Sequence, residues 1–235
     1  MIPILSTGKD KLDAGLFARL KSAATGGWLA EAGTTITVAK GRTFVNADEV
    51  PLYCYYVLRG RVISYEYTLS GRERIYNFIE EGSLMLDANT LMQQPPPVSF
   101  MAITPATLLR IPRDVLLKKI HSDPEVALDI ISSVSNKFLL AMEQIRETTH
   151  HNVLWKVCNL LVSFSERYGV EYDGKLLIKE KISQQVLANL LGVNRITLVR
   201  IIKELRELNL IEQINGFYCI RSIEKLKQFM EEEQN

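Results

Sequence analysis

Apolar and polar positions along this 235-residue chain keep two different periods. From Thr34 to Ile111 they fall in short runs rich in β-branched and aromatic residues: TTITVA, RTFV, YCYYVL, RVISYEYTL, RIYNFI, VSFMAIT and ATLLRI. Lys40-Gly41, Arg59-Gly60, Ser70-Gly71 and Glu81-Gly82 separate several of them. Many short strands divided by turn-formers predict an antiparallel sandwich or barrel, with Gly60, Gly71 and Gly82 at its corners. Pro95, Pro96 and Pro97 cannot lie in a central strand and predict a loop beside it.

Beyond Pro112 the period lengthens to three and four. Arg113 to His121 reads as a short helix, and Asp123-Pro124 opens a long one, with proline accepted in its first turn. Ala127, Ile131, Val134, Phe138, Ala141 and Ile145 recur there in steps of four and three. That is the seam of a helix that pairs with a second copy of itself. The polar break His150-His151-Asn152 predicts a hinge, with Asn152 capping the next helix, Val153 to Tyr168. Further helices are expected at Lys11 to Ala23, closed by Gly26 and Gly27, and at Ile223 to Glu233, where the face is acidic.

The stretch ISQQVLANLLGVNRITLVRIIKEL, Ile182 to Leu205, carries the most specific pattern. Leu187, Ala188 and Leu191 share one face of a first helix, and Leu198, Ile201 and Ile202 share one face of a second. Ser183 and Asn194 stand where a short polar side chain accepts from free backbone N–H groups. Gly192 supplies the positive φ of a tight turn, which Val193 plugs. Asn194, Arg195, Thr197, Arg200 and Lys203 remain on the outer face of the second helix, within reach of phosphates and base edges in a major groove. Asn215-Gly216, flanked by apolar residues in LIEQINGFYCI, predicts a hairpin beside this pair, and so a winged helix.

Charge sharpens the reading. The net charge is only +1. Between Gly174 and Leu210, however, seven lysines and arginines stand against three glutamates, an excess of four. A local basic patch on a neutral chain suits a sequence reader better than a non-specific coater of DNA. Cys54, Cys158 and Cys219 lack metal-binding or disulfide spacing and read as buried thiols. No metal site is predicted, since the paired histidines have no third ligand nearby. No phosphate loop, GxSxG or HExxH motif supports an enzyme, and no catalytic residue is assigned. No apolar run approaches the ~20 residues of a membrane span, and the start MIPILSTGKDK lacks signal-peptide character, so a cytoplasmic location is expected.

With these parts in order, the chain resembles the cyclic-AMP receptor and fumarate–nitrate regulator (Crp/Fnr) superfamily of bacterial transcription factors. The resemblance rests on YYVLRGRV, Ser70-Gly71-Arg72-Glu73 and Glu81-Gly82 in one half. In the other it rests on ISQQVLANLLGVNRITLVRIIKELRELNLI and the wing. It implies an α+β chain of three parts: a jelly-roll sensor barrel (1–122), a dimerisation helix and hinge (123–151), and a winged helix-turn-helix domain (152–235). It further implies a homodimer on palindromic double-stranded DNA, RNA polymerase as a partner if the protein activates, and effector-driven reorientation of the DNA-reading domains. The alternative is a ligand-responsive module whose winged helix docks on protein.

Matched residue by residue, Arg195 and Arg200 take the family's base- and phosphate-contacting positions. Gln184, Gln185, Asn194, Thr197 and Lys203 take backbone or flanking ones. Ile196 departs from the glutamate that many members use to accept from a cytosine amino group, and predicts apolar contact with a thymine methyl instead. The effector cassette departs further. Asp87 stands where nucleotide binders carry glutamate, Pro96-Pro97-Val98-Ser99 contains no arginine for a phosphate, and Ala141-Met142 replaces the hydroxyl pair that reads adenine. A phosphate buried without a cation is costly, so cyclic AMP is not the expected effector. The iron–sulfur and haem branches lack their ligands here, and no cofactor is predicted. The expected pocket is apolar, built from Leu84, Leu86, Asp87, Ser99, Phe100, Phe138, Ala141 and Met142, for an unidentified small organic effector.

Overall fold

A computed structural model describes residues 27–232; the helix expected at Lys11 to Ala23 lies outside them. A 3-10 turn, Gly27–Glu31, leads in. The strands β1 (Thr34–Val38), β2 (Thr43–Val45), β3 (Tyr53–Arg59), β4 (Arg61–Tyr67), β5 (Glu73–Glu80) and β6 (Leu84–Met85) follow. Helix α1 (Asp87–Met92) interrupts them before β7 (Ser99–Ala102) and β8 (Ala106–Pro112). Two four-stranded sheets, β1-β8-β3-β6 and β2-β7-β4-β5, are antiparallel throughout. Strand order departs from chain order in both, as a jelly roll requires. Val57, Val62, Ile79, Phe100 and Leu108 fill the space between them. Gly60, Gly71 and Gly82 all have positive φ. At Gly60 a side chain would also strike the Pro105 carbonyl.

The short strand β6 and helix α1 were not legible in the hydrophobic pattern, because two and six residues are too few to show a period. Helices α2 (Arg113–Ser122) and α3 (Pro124–His150) come next. At 27 residues α3 is about 40 Å long. A second core forms where α2 and α3 meet the outer face of the first sheet, with Trp28, Leu84, Ile111, Leu116, Val126 and Ile130 buried in it. The Trp28 indole N–H donates to Asp129 at 3.0 Å.

After the break at His151 and Asn152, α4 (Val153–Tyr168) begins with the Asn152 side chain accepting from Trp155 N. The elements β9 (Gly169–Tyr172), β10 (Lys175–Ile178), α5 (Gln184–Leu191), α6 (Arg195–Glu207), β11 (Ile211–Ile214), β12 (Phe217–Ile220) and α7 (Ile223–Glu232) follow in the described residues. The wing is larger than the sequence pattern indicated, a sheet ordered β11-β12-β10-β9. Its turn is made by Asn215 and Gly216, both at positive φ. Helix α4 is apolar nearly all round, with Val157, Cys158, Leu160, Leu161, Val162 and Phe164 buried. It is the central rod of this half. No single described helix is long and apolar enough to cross a membrane.

Candidate nucleic-acid interface and effector cavity

The helix-turn-helix is built as its residues dictate. The Ser183 hydroxyl accepts from Val186 N at 3.2 Å and the Asn194 side-chain Oδ1 from Ile196 N at 2.9 Å, so each helix starts with a satisfied donor. Gly192 turns the chain at φ 64°, and the two helices cross at 109°. Leu187, Ala188, Leu198, Ile201 and Ile202 are buried between them. The opposite side of α6 is open: Arg195, Ile196, Arg200 and Lys203 are exposed and Thr197 half-exposed. Ile196 is 77% exposed, a large apolar side chain on an otherwise polar ridge. Among the described residues no ion pair occupies Arg195 or Arg200. Lys203 lies 3.6 Å from Glu207 in a solvent-exposed pair of the kind that contributes little.

The sequence did not reveal how this unit sits on the barrel. Ile63, Tyr65 and Ile75 of β4 and β5 join the same core as Leu161, Leu187 and Leu190. Asn189, itself buried, donates to Glu73 at 2.7 Å and accepts from Gln185 at 2.7 Å. A residue matched to DNA contact is thereby tied to the barrel. Arg61 pairs with Glu180 at 3.1 Å. Glu80 accepts from Tyr168 at 2.6 Å and pairs with Arg167. The Arg74 guanidinium packs over Gly192. One signal was available: in RVISYEY the residues Val62, Ile63, Ser64 and Tyr65 are buried in succession. A strand without alternation is covered on both faces.

The barrel holds a cavity of about 220 Å³ against α3, lined among others by Ile79, Met85, Leu86, Asp87, Phe100, Lys137, Leu140, Ala141 and Gln144. Of the residues expected to form the pocket, Leu86, Asp87, Phe100 and Ala141 line it. Leu84 does not: its side chain points through the sheet into the second core with Leu116 and Val126. Ser99 is not a lining residue either, since its hydroxyl is taken by Ala47 N at 3.0 Å. Phe138 and Met142 face away from the barrel, 62% and 49% exposed. Lys137 and Gln144 were missed, since nothing in the helical period alone says which polar side chain turns inward.

Asp87 is 1% exposed. Leu86, just before it, takes φ 62°, an uncommon conformation for a bulky apolar residue. It begins α1 with the carboxylate beneath α3. Asp87 accepts from Ala88 N at 2.9 Å and Ser133 Oγ at 2.7 Å, and pairs with Lys137.

The outer side of α3 carries an uncovered apolar stripe, Leu128, Ile131, Phe138, Met142 and Ile145. It lies partly off the seam read from sequence. Ala127 and Val134 are half-buried, and Val134 packs on the second core. Ala141 is exposed at the cavity rim. Where α3 ends, Glu147 is buried and accepts from Asn159 at 2.9 Å, and burial pushes its carboxyl above the usual 4.5. The His151 ring stacks on Trp155 with centroids 3.7 Å apart. Among the described residues no group of three or more His, Cys, Asp or Glu is placed to hold a metal. All three cysteines are buried. Burial pushes the Cys54 thiol up to about 12, an inert value.

A barrel with an internal cavity, joined by one long helix to a winged helix with an open basic face, defines a two-domain regulator of transcription. Residues 35–123 match the family described as "Cyclic nucleotide-binding domain", and residues 156–229 match the "Crp-like helix-turn-helix domain". One relative is the HTH-type transcriptional regulator ArcR of Staphylococcus epidermidis. It is 24% identical over 169 residues, 72% of this chain and 73% of its own. The global nitrogen regulator of Synechococcus elongatus is 24% identical over 73% of this chain and 78% of its own. A CooA mutant from Carboxydothermus hydrogenoformans shares the fold at TM-score 0.74 and 16% identity, covering 93% of this chain and 96% of that one. A CRP/FNR-family regulator from Thermus thermophilus does so at 0.69 and 21%, covering 84% and 98%. The chain belongs to the Crp/Fnr family of transcription regulators. Its relatives are regulators and not enzymes, and they do not favour the protein-docking alternative.

Proposed function

We propose that two copies of this chain join along α3 and bind a palindromic DNA site, one α6 helix to each half-site, under the control of a small effector held in the barrel cavity. The observation that carries this is the open face of α6, where Arg195 and Arg200 are exposed and, among the described residues, in no ion pair. An unpaired arginine on a groove-sized helix bonds bidentately to guanine or to phosphate. The uncovered α3 stripe supports the dimer, because a two-fold axis sets two reading heads on one face of the duplex. RNA polymerase is a further partner if the protein activates.

Cyclic AMP does not suit the cavity. No arginine is among its described lining residues, Asp87 is already engaged by α3, and about 220 Å³ is below the roughly 300 Å³ at which cavities for larger ligands start. The ties of Glu73 to Asn189 and Glu80 to Tyr168 fix the reading unit on the barrel. Effector-driven reorientation has to break them.

The test is selection of bound duplexes from a random pool by the full-length protein. The expected product is an inverted repeat with half-site centres about 10 base pairs apart, and a thymine at the step facing Ile196. A folded dimer that enriches no repeat overturns the DNA-reading proposal. Enrichment of the cyclic-AMP receptor's own half-site overturns the role given to Ile196.

A further inference from the structure

We propose that the barrel cavity takes a small organic monocarboxylate, its charge on the Lys137 ammonium and its hydrocarbon body against Ile79, Met85, Phe100 and Leu140. This rests on the reading of that cavity as the effector site and names the chemistry the site accepts.

Among the described residues, Asp87 and Lys137 are the charged side chains that line the cavity. The carboxylate is spent: three of its roughly four acceptor positions are filled by Ala88 N, Ser133 Oγ and Lys137. Asn77 gives one of its two amide N–H groups to Ser64 at 3.1 Å and Gln144 gives one to Asn77 at 3.4 Å, and what these amides have left is uncharged. The Lys137 ammonium has three donors and uses one. A cationic ligand therefore finds no free anion, while an anionic ligand finds free, charged donors. Asp87 shares that single ammonium, so the site offers at most one cation to a ligand, and a singly charged carboxylate suits it better than a phosphate dianion.

Size narrows the class. An apolar cavity of roughly 150 Å³ takes a benzene ring, so about 220 Å³ takes a ring or a short alkyl chain with one carboxylate. Cavities for larger ligands start at roughly 300 Å³.

The same residues carry the signal outward. An acid that draws Lys137 away from Asp87 unfastens α3 from α1 on the inner side of the helix whose outer side bears Phe138 and Met142. Ala141 and Gln144 also line a second cavity of about 570 Å³, bounded by Glu147, Lys156 and the Leu190–Val193 turn of the reading unit. A shift of α3 at Lys137 thus reaches the helix-turn-helix through two adjoining cavities.

The experiment is calorimetric titration of the full-length protein with benzoate and hexanoate, each beside its neutral amide, benzamide and hexanamide. The acids are expected to bind about tenfold or more tightly than the amides. Lys137→Met should erase that preference, and Lys137→Arg should keep most of it, which controls for loss of packing. Equal affinity for acids and amides, an unchanged preference in Lys137→Met, or no acid binding at millimolar concentration overturns the inference. DNA affinity is followed in the same samples. Acid binding through Lys137 that leaves DNA affinity unchanged would remove the effector reading while the carboxylate site stands. A neutral ligand that binds here and alters DNA affinity would do the reverse.

Discussion

The helix-turn-helix and the barrel cavity are both functional sites of one chain, yet they are specified in opposite ways. The first is 24 contiguous residues in which caps, turn glycine and apolar spacing fix the backbone, and the backbone aims the side chains. The second gathers residues from β4, β5, the segment around Asp87, the proline loop and α3. No local rule decides which of them turn inward. A contiguous site is read from period and turn chemistry, whereas a dispersed one is set by packing. Helix α3 shows the difference within one element. Lys137 and Phe138 are neighbours in sequence, but one helical step sends the first to Asp87 and the second to solvent.

The largest expected effect strikes the link between the two regions. Replacing both Phe138 and Met142 by glutamate puts charge on the α3 stripe and leaves the cavity lining intact. Sedimentation should report monomers, and affinity for a palindromic duplex should fall by about 100-fold or more as bivalent binding is lost. Dimers of normal DNA affinity would show that the stripe is not the interface.

Next in size is Gly192→Ala. A non-glycine residue in the left-handed region costs about 1–2 kcal/mol. The added carbon also displaces the Arg74 guanidinium, whose flexible chain can move aside. The melting temperature should drop by about 2–8 °C. An unchanged melting curve would mean that the turn tolerates a side chain at φ 64°.

The smallest effect concerns Glu147 at the base of α3. Burial raises its carboxyl, so the native state holds this proton more readily than the unfolded chain does. Its contribution is favourable at acid pH, below the unfolded value, and is lost as pH rises through the native one. Glu147→Gln should therefore raise the melting temperature slightly at neutral pH and leave it unchanged below about pH 4. A gain of equal size at both pH values would assign the effect to something other than titration.

Strand positions, the long helix, both helix caps and the wing turn were legible because each carries a local rule. The docking of α5 on β5 was not, since Glu73 and Asn189 are 116 positions apart and neither is unusual where it stands. The helical period includes Ala127 and Val134 in the α3 seam, because a period gives a face only to within about one residue. The cassette pattern places Leu84 in the cavity, whereas the pleat of a two-residue strand sends it to the other side.

The most direct measurement is the affinity of a selected and a scrambled duplex for the wild type, Arg195→Ala and Lys203→Ala over a range of salt. Arg195→Ala should lose about 1–3 kcal/mol on the selected duplex and little on the scrambled one. Lys203→Ala should weaken both alike and reduce the salt slope by about 1. Wild-type binding of both duplexes by both variants would contradict the assignment of the α6 face to DNA.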